Sequence, residues 1–115
     1  MERAEIIKPG FSTADVGCPQ IEMVESKLVL RFKDWKGNEV MVIFPEVVAF
    51  KWHMIERLIP GEDFDGSHLI VDSEWLMEHL RQEKIGSQEG CEHYKFNFND
   101  SGQLEVISHS FIVKN

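Results

Sequence analysis

Only two cysteines, Cys18 and Cys91, occur in the 115 residues. They stand far apart and lack the paired spacing of a zinc site, so neither a disulfide scaffold nor a structural zinc is expected, and two free thiols are. Long apolar runs are missing as well. No segment approaches the roughly 18 uninterrupted apolar residues of a membrane helix. The opening MERAEIIKPG sets charges on both sides of an isoleucine pair, unlike a secretory signal. A cytoplasmic chain without a membrane partner is the expectation. Bases are scarce: 12 Lys and Arg face 20 Asp and Glu, for a net charge of −8. Such a surface repels a phosphate backbone, which argues against direct nucleic-acid binding. A glycine-rich phosphate loop is absent too, since Gly61 and Gly66 lie among acids with no lysine to grip a phosphate.

What remains is an ordinary globular composition, 43% hydrophobic and 28% charged, in a chain long enough for one core and too short for two. A single domain over residues 1–115 is predicted, with 1–20 a loosely structured N-terminal arm because Pro9-Gly10, Gly17 and Pro19 break it repeatedly. Residues 4–8 can still form a short edge strand. The charge is unevenly spread. From Glu56 to Glu92 there are ten carboxylates and three bases, so the middle third holds most of the surplus and one acidic face is expected.

The periodicity predicts an α+β fold, mainly antiparallel β-sheet with about five or six strands, as a sandwich or partly open barrel, and one α-helix around 73–83. Leu28, Leu30 and Phe32 alternate with Val29, Arg31 and Lys33, then Asp34 to Asn38 supply a turn with Gly37 at a left-handed position. Val40 to Phe44 returns as the partner, Val47 to Trp52 forms a third strand, and His68 to Val71 a fourth. Between the last two, residues 59–66 read as an acidic loop. Asp72-Ser73 is an N-cap pair; Trp75, Leu76, His79 and Leu80 recur at helical spacing, and 85–90 unwinds the helix. Tyr94, Phe96 and Phe98 alternate with His93, Lys95 and Asn97, and Leu104 and Val106 alternate with Glu105 and Ile107, with Asn99-Asp100-Ser101-Gly102 between them. That is a hairpin, whose second arm Phe111 to Val113 would extend or follow.

Five histidines, His53, His68, His79, His93 and His109, invite a search for metal chemistry, yet no HxH, HExxH or CxxC spacing accompanies them. Structural roles are predicted, with no metal, no cofactor and no catalytic residue. Cys91-Glu92-His93 places a thiol, a carboxylate and an imidazole together, but strand alternation denies Glu92 to the other two, so Cys91 reads as a small buried filler. Asn99-Asp100-Ser101 matches a glycosylation sequon and is explained as a turn. Glu62, Asp63 and Asp65 lack the twelve-residue spacing of a calcium loop. In the bland reading they are a solvated loop; in the functional one they steer a cationic partner. Of the tryptophans, Trp75 reads as core, Trp52 as the rim of an interface and Trp35 as an exposed hairpin tip.

The stretch Leu69-Ile70-Val71-Asp72-Ser73-Glu74-Trp75-Leu76, followed by His93-Tyr94-Lys95-Phe96, Asp100-Ser101-Gly102 and Leu104-Glu105-Val106-Ile107, resembles a group of small bacterial proteins, some of which are similar to immunity proteins of polymorphic toxin systems. That resemblance implies an inhibitor that occupies a toxin's active face, and the acidic middle third suits a basic target such as a nuclease. The functional expectation is a non-enzymatic protein-binding module, with Glu62, Asp63, Asp65, Glu74 and Glu78 steering a basic protein partner and Trp35 or Trp52 anchoring it. Two other readings stay open. One is a small ligand- or metal-binding barrel or enzyme using strand histidines; the other is a homodimer that buries a free strand edge.

Overall fold

A computed structural model describes residues 1–54, 57–82, 90–98 and 101–114. Within them the strands are β1 (Arg3–Ile7), β2 (Gln20–Val24), β3 (Lys27–Lys33), β4 (Glu39–Phe44), β5 (Ala49–His53), β6 (Ser67–Val71), β7 (Glu92–Phe98), β8 (Gly102–Ser108) and β9 (Ile112–Lys114), with one helix, α1 (Glu74–Arg81). They make a four-stranded sheet in the order β2-β3-β4-β9 and a five-stranded sheet in the order β1-β6-β7-β8-β5, antiparallel throughout. The α+β, mainly antiparallel character expected from the sequence holds.

The β3–β4 hairpin shows how directly the sequence acts. Leu28, Leu30 and Phe32 pair with Phe44, Val42 and Val40, and all six are buried. At the turn the Asp34 carboxylate accepts the amide hydrogens of Lys36 and Asn38, each at 2.9 Å, and Gly37 takes φ +86°. In the other sheet, β7 and β8 send Phe96, Phe98, Leu104 and Val106 into the same core. Ring contacts between Phe32 and Phe98 (5.4 Å) and between Phe44 and Phe96 (5.8 Å) join the two sheets across it.

The strand count exceeds the five or six expected. β2 escapes the pattern because it is a sheet edge following Pro19: Ile21 alone is half-buried and the other four residues are exposed. β9 does not prolong β8. It crosses to the other sheet and pairs with β4. The arm expected to be loose is pinned at two places. β1 lies along β6, and beyond it Thr13 and Val16 are buried while the Phe11 ring packs on Phe32 and Phe96. The unwinding connection 85–89, the position of Glu83 and the turn residues Asn99 and Asp100 lie outside the described residues; Ser101 donates its amide hydrogen to the Phe98 carbonyl at 2.8 Å. No described helix is long and apolar enough to cross a membrane.

What places the site is the far face of the five-stranded sheet. Strand alternation turns His93, Lys95 and Asn97 of β7, with Gln103, Glu105 and Ile107 of β8, away from the core. These side chains nevertheless stay buried, because residues 57–66 and α1 lie over them.

Candidate functional site

The layer begins with Glu105 on β8, between β7 and the edge strand β5. Lys95 on β7 and Lys51 on β5 are its direct cross-strand neighbours; from diagonal positions His93 on β7 donates Nε2–H to Oε1 at 2.7 Å and His53 on β5 donates Nε2–H to Oε2 at 2.5 Å. Lys51 adds its ammonium at 3.7 Å. Burial by itself would raise the Glu105 carboxyl, but the two imidazole hydrogen bonds and the positive charge of His93 and Lys51 outweigh it and hold the group at about 2. The other ring nitrogen of His53 faces the Met54 carbonyl at 2.9 Å.

His93 continues the chain outward. Its Nδ1 lies 2.6 Å from the hydroxyl of Ser73, and that hydroxyl also accepts the Leu76 amide hydrogen at 3.0 Å as the N-cap of α1. Asp72, in the left-handed region at φ +58°, bends the chain from β6 into this cap. Trp75 then packs T-shaped against His93 at 5.1 Å, with the Lys51 ammonium over its ring, 4.5 Å from the centre. Trp75 is thus a half-buried cover over polar groups, not part of the apolar core as its spacing with Leu76 and Leu80 suggests.

A second cluster holds the loop. Lys95 meets Glu62 at 2.7 Å, with both side chains almost wholly enclosed. Glu62 Oε1 also accepts from Asn97 at 2.9 Å and Gln103 at 3.3 Å, while Oε2 accepts the Ile59 amide hydrogen at 2.9 Å. Burial pushes this carboxyl up, and Lys95, Asn97 and the Ile59 amide together bring it below its usual range. His68 accepts the Asp63 amide hydrogen at Nε2 and donates Nδ1–H to the Lys95 carbonyl, which makes it a neutral ring; burial lowers its proton affinity accordingly. At Gly61 (φ +86°) a side-chain carbon would sit 2.1 Å from the Ala4 carbonyl oxygen, so the loop can approach β1 this closely only with glycine there.

Ser73, His93 and Glu105 reproduce the order of a nucleophile, a base and an orienting carboxylate. The surroundings do not suit that chemistry. A cavity of about 180 Å³ opens beside His93 and Glu105, walled also by Lys51, Arg57, Trp75 and Lys95, and Ser73 is not on its wall. The hydroxyl is enclosed and already committed to the Leu76 amide. Among the described residues no group of three or more His, Cys, Asp or Glu side chains is arranged to hold a metal. Cys91 is buried, and burial together with the charge of Glu92 raises its thiol.

The expected partner-binding residues divide. Asp63, Asp65, Glu74 and Glu78 are exposed, as is Asp72. Glu62 is not: its side chain is inaccessible and its charge is answered by Lys95, so it fastens the loop and steers nothing. Trp52 is half-buried, its ring 6.0 Å from Phe98. Trp35 is exposed under the Lys36 ammonium, but at the β3–β4 tip of the other sheet. Reasoning from sequence missed Phe64 and Met77, about half exposed among the acids of loop and helix, and it missed Glu105, His53 and Lys95 as members of a buried layer. The one available signal was the mixture of His, Lys, Asn, Gln and Glu on a single face of one hairpin. No family model matches the chain, and neither does any curated protein or solved structure.

Proposed function

We propose that this is a non-enzymatic protein-binding module that takes a basic macromolecular partner on the layer over its five-stranded sheet. One observation carries the reading: the acidic loop and α1 dock on the same face, through Glu62 to Lys95 and through Ser73 to His93. Asp63, Asp65, Asp72, Glu74 and Glu78 are the exposed carboxylates of the two segments docked there. Asp63, Asp65 and Glu74 have no ion-pair partner among the described residues, while Glu78 is paired with Arg81. Arg57 and Arg81 are the exposed bases nearest them in sequence, Lys51 lies over Trp75 in the same layer, and Asp72 faces the Met1 ammonium at 3.9 Å, so five carboxylates stand against four positive charges. Such a patch accelerates encounter with a cationic surface and competes with nucleic acid for it. Phe64 and Met77 replace the tryptophans as apolar anchors within it. Inhibition of a basic toxin, the role implied by the immunity-protein resemblance, is the specific form of this proposal.

The test is a variant with Asp63→Asn, Asp65→Asn, Glu74→Gln and Glu78→Gln, all at exposed positions. With a basic partner captured from the source cells, association should slow on the order of tenfold or more, with little change in dissociation. The unaltered protein's association rate should fall steeply as salt rises. An association rate insensitive to both would refute the steering role. The cavity between His93, Glu105 and Arg57 favours a second reading, a small-ligand site, in which filling that cavity would protect the Trp75 fluorescence from quenchers.

A further inference from the structure

The cavity in the layer over the five-stranded sheet has one charged donor to spare. Its floor is the sheet itself: Lys95 and Lys51 lie directly opposite Glu105, and His68 opposite Lys95, which puts Ile70, two residues beyond His68, on the same side. Arg57 and Ile59 of the loop and Trp75 of α1 supply the outer wall. The polar groups of the floor already satisfy one another. Lys95 lies 2.7 Å from Glu62, and Glu105 accepts from His93 and His53 with the Lys51 ammonium at 3.7 Å. Glu2 is the other carboxylate on the wall, and its Oε2 accepts the Glu74 amide hydrogen at 2.9 Å at the start of α1. Arg57 differs, because its guanidinium has no ion-pair or hydrogen-bond partner among the described residues. It is exposed, as is Lys51, whereas His93, Lys95, Glu105 and Ile70 are buried. The two exposed cations therefore mark the open side of a hollow whose floor is self-paired.

We propose that this cavity binds a small organic carboxylate, whose charged end is held by Arg57 with support from Lys51 and whose body packs against Trp75, Ile59 and Ile70. The proposal rests on the small-ligand reading of the cavity and supplies the ligand's class. A guanidinium presents parallel N–H donors in a planar fork that matches a carboxylate, which selects this group over a cation or a neutral amide. Size limits the body: a cavity of about 150 Å³ takes a benzene ring, so about 180 Å³ accommodates one such ring and one charged group. Because His93, Glu105 and Lys95 are already hydrogen-bonded or ion-paired, they need no polar partner from the ligand, and the body is free to be apolar.

Benzoate is the probe, with benzamidine and benzamide as cationic and neutral counterparts of nearly equal shape. Titrated into the ¹⁵N-labelled protein near neutral pH, benzoate should shift the Trp75 indole N–H and the backbone amides of Arg57, Ile59, Ile70 and His93 along one binding curve. The dissociation constant should be on the order of 1 mM for a ligand of this size. Benzamidine and benzamide should bind about tenfold more weakly or less. Arg57→Gln, altered at an exposed position, should keep the spectrum of the free protein and lose affinity for benzoate on the order of tenfold, with Arg57→Lys in between. The three probes on the unaltered protein decide the ligand's class without either variant. Benzamidine or benzamide binding as tightly as benzoate, or full affinity in Arg57→Gln, would overturn the carboxylate assignment and leave a small-ligand site standing. No shift at Trp75 with any of the three would overturn the site as well.

Discussion

Glu105→Gln is expected to destabilise the protein by about 3–5 kcal/mol, the cost typical of removing one partner from a buried ion pair. The replacement keeps the volume, so the loss is electrostatic rather than a packing defect. It takes the negative charge from between His53, His93 and Lys51 and turns an amide toward ring N–H groups that need an acceptor. For a chain of this size the midpoint of thermal unfolding should drop by roughly 10–20 °C. A pH signature accompanies it. The folded carboxyl sits at about 2 against an ordinary 4.5, so its contribution, about 3 kcal/mol, is fully present above pH 4.5 and is lost as pH falls toward 2. Chemical denaturation across that window should show a steep acid loss in the unaltered protein and a shallower one in Glu105→Gln. Equal slopes would mean that the imidazoles do not hold this carboxylate.

Lys95→Met should cost a similar amount, about 3–5 kcal/mol, because it leaves Glu62 inaccessible to water and without its cation. Asn97, Gln103 and the Ile59 amide would still donate to that carboxylate. They offset only part of the burial penalty, so the carboxyl should take up a proton nearer neutrality and residues 57–66 should loosen, which amide hydrogen exchange will register. Adding Glu62→Gln removes the stranded charge. The double variant should therefore recover on the order of 1–3 kcal/mol relative to the sum of the singles, whereas simple additivity would show that the two residues do not act as a pair.

The parts of the fold that follow local rules were legible in the sequence. Alternation gave the inward residues of β3, β4, β7 and β8, Gly37 marked its turn, and Ser73 marked the helix start. What was not legible depends on partners distant in sequence. The loop holding Glu62 has the glycines, proline and acids of a solvated segment; only the arrival of Lys95, Asn97 and Gln103 from the far hairpin makes it an inward-facing lock. Glu105 and His93 obey strand alternation perfectly, yet alternation tells which face a residue takes and not whether that face is wet. The Trp52 ring is half-buried over Phe98 because its cross-strand partner Leu104 belongs to the core, a contact that only the distant hairpin supplies. β2 has too weak an apolar pattern to stand apart from the arm that precedes it.

The central claim is that negative potential is concentrated on the loop-and-helix side of the five-stranded sheet. Its most direct measurement needs no knowledge of the natural partner: titrate the ¹⁵N-labelled protein with a short oligolysine peptide at low salt and follow the backbone amide resonances. The largest shifts should fall in residues 62–65 and 72–80 and vanish as salt is raised. Shifts spread evenly around the molecule, or centred on β2 to β4, would contradict the account.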